Sequence, residues 1–142
     1  MSKATTIILA TIALATGILV FYFGQNQQPA DAVSKWEPKT DEQANVTVTV
    51  TPVELSAEAQ EWKFDIAMNT HSLELDQDLV KSVILIDDRG KEYRLLSWIG
   101  PVGSHHREGT LIFNPITPTP KSVELKISGI GNVIRSFAWQ LR

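Results

Sequence analysis

NVTVTVTPVEL, residues 45–55, alternates strictly: Val46, Val48 and Val50 fall on one side, Thr47, Thr49 and Thr51 on the other. A period of two marks a strand with one buried and one wetted face, because successive side chains point to opposite sides of a sheet. EWKFDIAMNT (61–70) repeats the pattern, setting Trp62, Phe64, Ile66 and Met68 against Lys63, Asp65 and Asn69. These two stretches make the chain a β protein, and the rest can be read outward from them.

Toward the C-terminus, LVKSVILI (79–86), the turn Asp87-Asp88-Arg89-Gly90 and KEYRLLSW (91–98) read as a hairpin, with Asp and Gly supplying the turn geometry. TLIFN (110–114) is a short strand stopped by Pro115, Pro118 and Pro120. KSVELKIS (121–128) turns Val123, Leu125 and Ile127 inward, and after Gly129-Ile130-Gly131-Asn132, VIRSFAWQLR (133–142) does the same with Phe137, Trp139 and Leu141. Seven short strands and no amphipathic helical pattern predict an all-β, seven-stranded immunoglobulin- or fibronectin-like β-sandwich over 46–142, with a small closed barrel as the alternative. Trp62, Trp98 and Trp139 are expected as fillers between the two sheets.

Toward the N-terminus, residues 24–45 read as a flexible linker of Gln, Asn, Pro, Ala and mixed charge, in which Trp36 is expected to pack on the domain edge or a membrane interface. Before it, TTIILATIALATGILVFYF (5–23) is almost wholly apolar, and its 19 residues would rise about 28 Å as a helix, close to a bilayer's hydrocarbon thickness. Residues 1–23 are expected to be a signal anchor, with Phe21, Tyr22 and Phe23 at the interface. Ala30-Asp31-Ala32 offers a signal-cleavage site, but the apolar run is long for a cleaved leader. Lys3 is the lone cation before the span, which puts the N-terminus in the cytoplasm and the domain in the periplasm or outside the cell; secretion after cleavage is the alternative.

The whole chain has 142 residues, 13 basic and 16 acidic, net −3. Lys3 is the only charge before Asp31, so the acidity belongs to residues 31–142, and no basic surface points to nucleic acid. The absence of cysteine excludes disulfides, thiolate metal sites, a cysteine nucleophile and a lipoprotein anchor.

Because consecutive antiparallel strands alternate in direction, the loops 71–78 and 99–109 and the turn 129–132 should share one end, along with the start of the first strand. His71, His105 and His106 are the only histidines, and all lie in those two longer loops. His71 is expected within about 10 Å of His105 or His106, no more than a few strand spacings. With Asp76 they form the candidate metal-ligand set, for Zn²⁺ or Cu²⁺. Glu74, Asp76 and Asp78 could instead offer oxygen ligands to Ca²⁺. The competing reading is structural, with histidine and arginine bonding the acidic residues and fixing the loops. Adjacent histidines in an extended segment point opposite ways, so His105 and His106 could both ligate only from a bent loop. Ser72 and Ser104 lie near histidines but in no catalytic frame, so no catalytic residue and no enzyme activity are expected. Asn45-Val46-Thr47 has the form of a glycosylation sequon.

THSLELDQDL (70–79), LSWIGPVGSHHREGTLIF (96–113) and PKSVELKISGIGNVIRSFAWQLR (120–142) together resemble a family of secreted or membrane-anchored prokaryotic β-sandwich domains of unknown function. The resemblance covers 46–142, implies fold and location, and carries over no catalytic or cofactor-binding residue. The expectation is a non-catalytic extracytoplasmic binding module, meeting a protein or small-ligand partner through loops 71–78 and 99–109. The alternative is a metal-binding protein using the same loops.

Overall fold

The computed structural model describes residues 35–142, and they form two antiparallel sheets packed face to face. In chain order the strands are β1 (Lys39–Gln43), β2 (Val46–Glu54), β3 (Trp62–Thr70), β4 (Val83–Asp87), β5 (Glu92–Arg94), β6 (Ser97–Ile99), β7 (His106–Phe113), β8 (Ser122–Ile130) and β9 (Val133–Gln140). A single helical turn, α1 (Leu79–Ser82), precedes β4, with Asp78 capping it by accepting a bond from the Val80 amide. One sheet runs β1-β2-β3-β7-β6, the other β5-β4-β8-β9. The expected anchor (1–23) and the first part of the expected linker lie outside the described residues. Among the described residues no helix is long and apolar enough to cross a membrane.

The alternating stretches fold as their period requires. Val46, Val48 and Val50 are buried beside Trp62, Phe64, Ile66 and Met68 in the first sheet, facing Val123, Leu125, Ile127, Phe137 and Trp139 of the second. Phe64 joins the sheets, its ring centroid 5.9 Å from Phe113 in an edge-on contact and 5.5 Å from Trp139. The Trp62 indole donates to the Ser56 carbonyl and the Trp139 indole to Glu37, so neither buried N–H is orphaned.

Nine strands replace the expected seven, for two reasons. KEYRLLSW is not one strand: Glu92–Arg94 pairs with β4, and after Leu95 and Leu96 the chain crosses over so that Ser97–Ile99 pairs with β7. The crossing keeps the chain's direction, so the sharing of ends by later loops survives. The other addition is β1, inside the expected linker 24–45. It pairs with β2 from Lys39↔Val50 to Gln43↔Val46 through a two-residue turn, Ala44 and Asn45, both at positive φ. Because β1 runs against β2, the chain does not enter at the loop end as expected. It enters at the opposite end, where Trp36 packs against the core. LVKS, expected as strand, is the turn of α1.

Trp98 departs from its expected place between the sheets. It is only partly buried and lies over Gly100 and Gly109, whose missing side chains make room for its ring. A Cβ on Gly109 would run into both the Trp98 ring and the Ile99 carbonyl oxygen.

Candidate functional site

The loops 71–78 and 100–105 and the turns 44–45 and 131–132 gather at one end of the sandwich. Strand parity decides which side chains face in there. In β7, Leu111 and Phe113 are buried, and stepping back by two through Gly109 brings Arg107 inward. In β9 the buried Phe137 and Trp139 imply the same for Arg135. Each sheet thus inserts one arginine at the loop end, Arg107 at 1% and Arg135 at 0% exposure.

Arg107 is held by backbone oxygens. Its Nε donates to the Pro101 carbonyl at 2.8 Å, and Nη1 donates to Leu75 at 3.2 Å and Gln77 at 2.8 Å. The guanidinium also stacks 5.1 Å from the Trp98 ring centroid. Burial pulls this guanidinium below the ordinary arginine value, while the charges of Asp76 and Asp78 push it back up. The expected cross-loop network therefore forms, but its acceptors at Arg107 are carbonyls, which fix the path of 71–78 directly. Two further bonds tie the loops: the Thr70 amide to the His105 carbonyl at 2.9 Å, and the Leu75 amide to Ser104 at 3.1 Å.

Arg107 and Trp98 line a groove of about 400 Å³ with Asp76, Gln77, Asp78 and Leu79. Beside Ser97, its other walls are apolar and exposed: Val80 at 42%, Leu96 at 53% and Val102 at 77%. The Gln77 Oε1 is buried without a hydrogen-bond partner among the described residues. The groove was not legible as a unit, because its walls come from α1, the crossover 95–96, β6 and the loop after it.

The four candidate metal ligands do not come together. His71 and His106 do: their ring centroids lie 6.2 Å apart, nearly perpendicular. Both face outward on the first sheet, His106 opposite Asn69 in the β3–β7 ladder and His71 two residues beyond Asn69. His105 turns the other way, its Nε2 3.8 Å from Glu74. Asp76 lines the groove. Among the described residues no three His, Asp or Glu side chains are grouped to hold a metal ion. Of the three carboxylates weighed for Ca²⁺, Glu74 meets His105 and Asp78 caps α1 and pairs with Lys81 at 2.8 Å.

No protein-family model matches the sequence, and no curated protein matches it. Among solved structures the chain is similar to a secreted protein of Mycobacterium tuberculosis, MPT63, known from a 1.5 Å crystal structure. The two share 16% identity over 73% of this chain and 92% of that one, with a TM-score of 0.43.

Proposed function

We propose that this chain is a non-catalytic binding module of immunoglobulin-like topology, displayed outside the cytoplasm by its N-terminal segment, which docks a protein partner in the groove beside Trp98. The strand order supports the topology. The run β2-β3-β7-β6 facing β5-β4-β8-β9 follows the A-B-E-D against C′-C-F-G arrangement, with β1 added at one edge. The apolar run 5–23 supports the location.

The observation that carries the docking reading is the clustering of exposed apolar side chains. Single exposed apolar residues are ordinary on any surface. Val80, Leu96 and Val102 instead line one groove together with an aromatic ring and two carboxylates, the mixed composition of an interface patch. A partner inserting an apolar side chain there would cover them, and a donor on it would satisfy the Gln77 oxygen.

Photo-crosslinking in intact cells tests the reading. A photoreactive residue at Leu96 or Val102 of the full chain should give a discrete protein adduct, and one at Ile134, an equally exposed apolar residue on β9, should not. Equal labelling from all three positions, or none from the groove, would overturn it.

A further inference from the structure

From the outer face of the first sheet we infer a second site, independent of the groove: His71 and His106 bind a divalent late transition metal, copper(II) foremost, as a two-imidazole chelate. Two rings sharing one ion through metal–nitrogen bonds of ordinary length have centres roughly 5 to 6.4 Å apart, depending on the angle at the metal. The observed 6.2 Å lies within that span. Both rings are on exposed residues, so small rotations can aim their nitrogens at a common point.

The surroundings select the tautomer. The His106 Nδ1 is 2.7 Å from the Asn69 side-chain oxygen. An amide oxygen only accepts, so Nδ1 carries the proton and donates it, leaving the lone pair on Nε2 for a metal. A ligating histidine commonly has its second nitrogen tied in this way. Hydrogen bonds brace the chain at His106 and beside His71. The His106 amide donates to the Ser104 hydroxyl at 3.2 Å, while Thr70, the neighbour of His71, donates its hydroxyl to Asn45 at 2.9 Å. Glu42 lines the same depression as His71, adding negative charge nearby. Two imidazoles with the remaining positions left to water suit Cu²⁺ best, then Ni²⁺ and Zn²⁺, by the general order of affinities for nitrogen sites. His105, turned away toward Glu74, takes no part.

Titration of the full chain in detergent with Cu²⁺, followed by calorimetry and by electron paramagnetic resonance, tests this. One equivalent should bind with a spectrum showing nitrogen ligation. His71→Ala and His106→Ala should each weaken binding by roughly tenfold or more, and Asn69→Ala by roughly tenfold through loss of the bond that orients the ring. His105→Ala should leave affinity unchanged. All these residues lie on the surface, and circular dichroism will show each variant folded. Absence of saturable binding, binding that survives the His71→Ala, His106→Ala double variant, or an equal loss in His105→Ala would overturn the site.

Discussion

Two arginines enter the interior at the same end of this sandwich, one from each sheet, and they are held differently. Arg135 has a carboxylate: its Nε lies 2.9 Å from Asp41 Oδ1, an ion pair without hydrogen-bond alignment, while Nη1 donates to Ile130 at 2.6 Å and Nη2 to Gln43 at 2.7 Å. It therefore clasps β1 of the first sheet to β9 of the second, and its charge is neutralised where it sits. Arg107 has only carbonyls as hydrogen-bond acceptors, with an aromatic face beside it and the charges of Asp76 and Asp78 acting without a direct ion pair. The difference separates two tasks. A buried ion pair between strands closes an edge; a buried cation on loop carbonyls shapes a surface. The groove lies beside the second arginine.

The contrast can be broken most easily at Arg135. Arg135→Met should cost about 3–5 kcal/mol in urea denaturation, because it strands Asp41 without its partner. Adding Asp41→Asn should recover part of that loss. Arg107→Met should cost less, about 2 kcal/mol, since hydrogen bonds to a charged group are worth about 1.5–3 and the freed carbonyls can meet water as the loop opens. Equal costs would erase the distinction. A smaller effect sharpens the clasp from its turn. Ala44 sits at φ 51 next to the Gln43 carbonyl that Arg135 holds, and Ala44→Gly should raise stability by about 1 kcal/mol in the same assay. Finally, the far end is fastened by an anion. Asp87 is buried, and its Oδ1 accepts from the Lys91 and Arg89 amides while Oδ2 accepts from the Tyr93 hydroxyl. The Lys91 amide first, then the Arg89 amide, the Tyr93 hydroxyl and the Arg89 charge, hold its carboxyl below the ordinary aspartate value against the opposing effect of burial. A depressed value means the unfolded chain takes up the proton first. The stabilisation is thus complete at neutral pH and fades as pH falls from the ordinary aspartate range, about 3.9, through the lowered folded value. Stability measured against pH should lose part of its acid-side slope in Asp87→Asn, and an unchanged slope would contradict this.

Both arginines were legible from parity alone. Phe137 and Trp139 inward imply Arg135 inward in a strand already read from Val133, and Leu111 and Phe113 imply Arg107 once β7 is extended to its true start at His106. Starting the strand at Thr110, where the apolar run TLIFN begins, leaves Arg107 in a loop among surface charges. The same parity places His71 and His106 on the outer face of the first sheet and turns His105 away from it. β1 was hidden because Lys39–Gln43 is polar on both faces, follows a proline and turns through Ala-Asn, where Asn-Gly is the usual signal. The consequence is large, since one unseen antiparallel strand moves the entering chain to the other end. The crossover at Leu95 and Leu96 was hidden for another reason: a chain can change sheets without any break in its hydrophobic pattern. The groove depends on that crossover, and its partner loops could be named while its walls could not.

Hydrogen exchange by mass spectrometry on the full chain, comparing Arg107→Met with the parent, probes whether one buried cation organises the loop end. Faster exchange is expected in 71–78 and 100–105 alone, with β2, β3, β8 and β9 protected as before. Unchanged protection of 71–78, or a loss spread evenly through both sheets, would contradict it.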